Sequence, residues 1–159
     1  MRLLVIAAVL AAPLVRAAPV WAGAELRPGA SSPAALCRAA IAQAERTAGV
    51  PDRLMQSIGV VESGRRDPRT GARRPWPWTV NAEGAGTYYP TKAAAIAAVQ
   101  ALQARGVQSA DVGCMQVNLL HHPAAFRSLD EAFDPAANAL YAARFLTRLA
   151  TASAVLPGA

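Results

Sequence analysis

The chain has 159 residues, 53% of them hydrophobic and 16% charged, which suits one buried core and excludes disorder throughout. Aromatic residues make up only 6% and alanine dominates the apolar count, so a mainly helical protein is expected. The formal charge of +6 rests on arginine, Lys92 being the single lysine; it implies an anionic partner, although arginine bias also follows genome composition.

Met1 and Arg2 precede a continuous apolar run over residues 3–15, and Ala22-Gly23-Ala24 supplies the small residues that a signal peptidase reads. Residues 1–24 are therefore expected to be a secretory signal, since so short a run falls below the roughly 20 residues of a membrane-spanning helix. A domain over residues 32–150 follows, with a frayed tail over residues 151–159. Ser32 caps a first helix with Pro33 at its first position and Leu36, Cys37, Ala40, Ile41 and Ala44 at helical spacing, up to Gly49. Pro51 opens a second, with Leu54, Met55, Ile58 and Val61 apolar, which ends at Glu62 before a Gly64 C-cap. Residues 65–74 read as a basic loop.

Trp76, Trp78 and Val80 alternate with polar or proline positions before a turn over residues 82–86 and Thr87-Tyr88-Tyr89, the pattern of a small β-hairpin. Thr91 caps a third helix with the stripe Ala95, Ile96, Val99 and Leu102, closed by Gly106. Residues 111–118 read as strand or loop leading to His121-His122-Pro123. In the last helix Asp134 caps, Pro135 starts, and Leu140, Tyr141, Phe145 and Leu149 carry the pattern to about Ala150. Cys37 and Cys114 are the two cysteines; in an exported chain they pair with each other, or else both stay buried as free thiols.

The most informative position is Glu62. It falls on the face of Leu54 and Ile58 at intervals of four, so an ionisable group continues an apolar stripe in the last turn of a helix. Partial burial and the negative end of the helix dipole would both favour its protonated form, the property of a general acid. A simply solvated helix end carries about equal weight.

Glu62-Ser63-Gly64 at a helix end, then Gly113-Cys114-Met115-Gln116-Val117-Asn118, then a helix running from Asn138 through Leu146, together resemble the soluble, goose-lysozyme-like lytic transglycosylases. The wording is most similar to short members associated with secretion and conjugation machinery. The resemblance implies an α+β, mainly α, lysozyme-like fold with a small β-hairpin region. It implies cleavage of the β-1,4 bond between N-acetylmuramic acid and N-acetylglucosamine in peptidoglycan, giving 1,6-anhydromuramoyl ends. Glu62 would be the sole catalytic carboxylate, acid then base. Ser63, Met115, Gln116, Asn118 and Tyr141 would bind substrate, with Met115 packed beneath the cleft. Tyr141 offers its hydroxyl to the site or sits in the core with that hydroxyl satisfied. No cofactor and no metal is implied, His121 and His122 having no partners at ligand spacing. The implied setting is the periplasm, with peptidoglycan strands as partner, together with a secretion, conjugation or flagellar apparatus.

The chain departs from the family in three ways. Residues 76–105 are inserted between Glu62 and Gln116, and Trp76, Trp78, Tyr88 and Tyr89 form either a sugar-stacking wall or a private hairpin core. Cys114 replaces the usual leucine and would tie the motif to the first helix. Ala142 and Phe145 replace the usual glycine and tyrosine. Arg65, Arg66, Arg69, Arg73 and Arg74 either meet the carboxylates of peptidoglycan stem peptides or form a solvated loop. A muramidase of the same fold and a non-catalytic wall-binding assembly factor are the rival readings. A nucleic-acid binder has charge in its favour but neither a recognition motif nor a basic helix face.

Overall fold

The computed structural model describes residues 31–155, so the expected signal over residues 1–24 lies outside the described residues. The described chain is α+β. Helix α1 (Pro33–Ala48) is capped by Ser32, whose Oγ accepts a hydrogen bond from the Ala35 N–H, and it stops at Gly49, whose φ of 67° suits a residue without Cβ. Helix α2 (Leu54–Ser63) begins later than Pro51 suggests, because Arg53 adopts φ 65° and breaks the helical path. Its N-terminus is capped from another helix. Glu45 of α1 is buried, and its Oε1 accepts hydrogen bonds from Met55 N at 2.8 Å and Gln56 N at 3.1 Å.

The buried face of α2 is Met55, Gly59 and Ser63, one residue along from the stripe of Leu54, Ile58 and Glu62. Gly59 sets this rotation: a Cβ there would meet the side chains of Ile41, Pro75 and Met115, so α2 packs through its one bare position. Val61, one of the apolar positions of this helix, is 79% exposed.

Residues 65–74 are not merely a loop. Strands β1 (Gly64–Arg66) and β2 (Arg73–Pro75) pair antiparallel, and Asp67 folds the connection by accepting hydrogen bonds from Arg69 N and Thr70 N. The pairing escapes the sequence because neither strand has an apolar alternation. The expected hairpin forms as β3 (Thr79–Ala82) and β4 (Ala85–Tyr88), joined by Glu83 and Gly84, both at positive φ as a tight primed turn requires. It begins at Thr79; Trp76 and Trp78 precede it.

Helix α3 (Lys92–Ala104) is capped by Thr91 as expected. Strands β5 (Ala110–Val112) and β6 (Val117–Asn118) complete a sheet of order β4-β3-β5-β6. A single helical turn, α4 (Leu129–Ala132), precedes α5 (Pro135–Val155), which runs past Ala150, so residues 151–155 are helix and not frayed tail. Residues 156–159 lie outside the described residues. No helix among the described residues is long and apolar enough to cross a membrane.

Two cores result. One gathers Ile41, Ala44, Met55, Met115, Ala139 and Ala143 from α1, α2 and α5 around a Cys37–Cys114 disulfide, which settles the choice between bond and free thiols. The other packs α3 and α4 onto the sheet through Val80, Val99, Val112 and Phe133. The disulfide is the bond of an oxidising environment.

Candidate active site

A groove of about 300 Å³ runs between α2 and α5. Ile58 and Glu62 come from α2, Met115 and Gln116 from the turn between β5 and β6, Asn118 from β6, and Tyr141 and Phe145 from α5, with His122 beside them. The turn brings together distant parts of the chain, and its shape has three causes. Gly113 takes φ 83° and lies against the Asn138 side chain, with no room for a Cβ. Asn138, fully buried on α5, accepts a hydrogen bond from Met115 N at 2.9 Å and donates to Val112 O and Ala132 O at 3.0 Å each. Cys114 is bonded to α1.

Ser63 joins this turn to the end of α2. It is fully buried, and its hydroxyl donates to Cys114 O at 2.7 Å while lying 3.2 Å from Gly59 O, and accepts from Trp76 N at 3.3 Å. Ser63 therefore does not line the groove; it fixes Glu62 beside Gln116 from beneath, because a small hydroxyl-bearing residue is what this helix–turn contact accommodates. Glu62 itself lines the groove but is exposed, so the partial burial expected from its stripe is not met. Ile58 of that stripe packs against the helical core, while at Glu62 the stripe borders the open groove.

The remaining expected site residues separate by how their polar atoms are engaged. Gln116, at φ 49°, donates through Nε2 to Gly113 O at 3.0 Å and to Thr79 O at 3.3 Å, which leaves its Oε1 without a protein partner among the described residues. Asn118 is fully occupied: Oδ1 accepts from Leu120 N and His121 N, and Nδ2 donates to Ser109 Oγ and Asp111 Oδ1. It shapes the groove without spare hydrogen-bonding hydrogens. Met115 is buried at the groove floor. Tyr141 lines the groove and also satisfies its hydroxyl, which lies 2.9 Å from His122 Nδ1, and the His122 ring packs edge-on to both Tyr141 and Phe145.

The aromatic insertion lies elsewhere. Trp76, Trp78, Tyr88 and Tyr89 are absent from the groove wall. Trp76 Nε1 donates to Tyr89 O at 2.7 Å, Tyr88 Oη to Gly64 O at 2.9 Å, and Trp78 packs on the sheet-side core, so these rings stabilise the hairpin and its junction with β1.

Sequence reasoning overlooked Glu45 and the separate role of Asn138. Glu45 continues the Cys37–Ile41 face of α1 at an interval of four, the same signal that singles out Glu62 and one that could have found it; Asn138 interrupts no pattern, and its partners are backbone groups outside α5. Among the described residues no cluster of three or more histidine, cysteine or acidic side chains is placed to hold a metal. No protein-family model, no curated protein and no solved structure matches the chain.

Proposed function

We propose that the chain is a peptidoglycan lytic transglycosylase of lysozyme-like fold, exported to the periplasm, with Glu62 as its acid and base. The observation that carries this reading is that, among the described residues, Glu62 is the single carboxylate lining the groove. Most glycosidases need two carboxylates about 5–10 Å apart across the scissile bond, either to form a covalent intermediate or to activate water. A single carboxylate suits a reaction in which the substrate supplies the second group.

Glu62 protonates the glycosidic oxygen as the bond to the muramoyl anomeric carbon breaks, and the substrate's own acetamido oxygen stabilises that carbon. The Glu62 carboxylate then takes the proton of the C6 hydroxyl as its oxygen closes on the anomeric carbon. A glycan seated in the groove displaces water from around Glu62 and brings its carboxyl group against the glycosidic oxygen. Gln116, with its free Oε1, is suited to a sugar hydroxyl or acetamido N–H, and the Tyr141–His122 pair to the opposite wall. Local opening of the wall for a secretion, conjugation or flagellar apparatus is the biological setting that the motif wording favours.

The exposure of Glu62 favours a second reading, a wall-binding assembly factor that keeps the groove without turnover. Mass spectrometry of soluble products from purified peptidoglycan separates the readings. A transglycosylase releases fragments one water lighter than those of a muramidase, and Glu62→Gln lowers the rate about a thousandfold or more. Reducing-end fragments would make the chain a hydrolase. Absence of any product from the unaltered protein would favour the assembly factor.

A further inference from the structure

A second and larger concavity, of about 500 Å³, opens between the start of α1 and the β1–β2 ribbon. Arg38, Arg65, Arg66, Arg69 and Arg74 line it together with Asp67 and Trp76. Among the described residues none of these five guanidinium groups has a carboxylate within 4 Å, whereas Lys92, Arg105 and Arg127 each do. The N-terminal end of α1, with no acidic residue in its first turn, also borders the space through Ser32, Ala34 and Ala35 and adds the positive end of its dipole. Part of the lining is held in place: Arg65 stacks 4.3 Å above the Trp76 ring, and Arg66 Nη1 donates to Gly71 O at 3.1 Å.

The geometry points to a binding site for a short acidic peptide, and specifically, resting on the peptidoglycan reading above, for the stem peptide that branches from each muramic acid. Guanidinium forks match planar carboxylates in bidentate fashion, and several converge here. Asp67 distinguishes a peptide from a simple polyanion. Hydrogen bonds from the loop's own Arg69 and Thr70 N–H groups hold its carboxyl below the usual carboxylate range, so it remains ionised and offers a partner to an ammonium group. A ligand with several carboxylates and an amine satisfies both charges. The two sites share no lining residue but stand close along the chain. Arg65 follows Glu62 by three residues, which bounds the separation of their Cα atoms at about 10 Å, within reach of a peptide branching from a glycan in the groove.

Calorimetric titration of the oxidised protein with the free L-alanyl-γ-D-glutamyl-diaminopimelate tripeptide tests this, alongside cleavage of peptide-bearing and peptide-free glycan strands. The variant is R38Q with R69Q: both side chains are exposed and neither makes a side-chain hydrogen bond, so folding is preserved. The expected result is tripeptide binding weakened tenfold or more and a raised KM for peptide-bearing strands, with unchanged cleavage of peptide-free strands. Equal affinity of both proteins for the tripeptide would overturn the proposal, as would equally tight binding of an oligothymidylate of the same charge. If the tripeptide binds through these arginines while neither glycan is cleaved, the peptide site stands and the transglycosylase reading fails; cleavage of both glycans without tripeptide binding means the reverse.

Discussion

The helical half and the sheet half of this protein are built on different principles. The helical core is made of small and medium side chains, Cys37, Ile41, Ala44, Met55, Met115, Ala139 and Ala143, and is crosslinked and capped from within by Glu45. The sheet core has no crosslink among the described residues and relies on bulk, with Phe133 the largest fully buried side chain. The groove is lined from α2, α5, the turn over residues 113–116, the edge strand β6 and His122 just after it, and no member of the second core reaches it. The proposed chemistry would then fall mainly to the crosslinked half, with the sheet holding the turn over residues 113–116 from behind. Asn138 spans the two, fastening that turn to α5 and to the end of α4.

Removing the disulfide, by reduction or by replacing Cys37 and Cys114 with alanine, is the largest expected perturbation. For a separation of 77 residues, chain entropy gives about 4.5 kcal/mol. Denaturant melts with and without reductant measure it, and hydrogen exchange should show α1 and the turn loosening before α3. Phe133→Ala is expected to cost about 4 kcal/mol through the cavity it leaves, yet to spare turnover per folded molecule because the ring lies outside the groove wall. A loss of kcat in the folded fraction would break the division of labour.

Asn138→Ala tests the fastening itself. It orphans Met115 N, Val112 O and Ala132 O, and about 3 kcal/mol of destabilisation is expected together with lower activity, since Gln116 loses its fixed backbone. Glu45→Gln keeps the shape of the α2 cap but removes its charge, for an expected loss of about 1 kcal/mol seen as a small fall in melting temperature.

Much of the helical frame was legible because helix punctuation is local. Ser32 with Pro33, Thr91, and Asp134 with Pro135 mark starts that need only the next three residues to act, and the structure places α1, α3 and α5 behind them. The stop after Ala150 was not legible, since α5 continues to Val155 through alanine and threonine residues that no breaker interrupts. The β1–β2 ribbon was hidden because its strands present arginines on both sides, and strand alternation is a signal only where one face is buried. The motif positions led to Glu62, Gln116 and Tyr141 at one groove, but Ser63 and Asn118 proved to be spent on structure.

The sequence by itself determined the capped starts of α1, α3 and α5, the presence of a small hairpin, the pairing available to the two cysteines, and the carboxylate at the end of α2. Each depends on residues near in sequence or on there being only two cysteines. Only the tertiary structure decided which face of α2 is buried, that Glu62 is exposed, that Glu45 caps a helix other than its own, and that five arginines share one pocket. Those outcomes depend on where a glycine allows two elements to approach and on which backbone groups then need partners. Such close approaches join residues distant in the chain, and no local pattern encodes them.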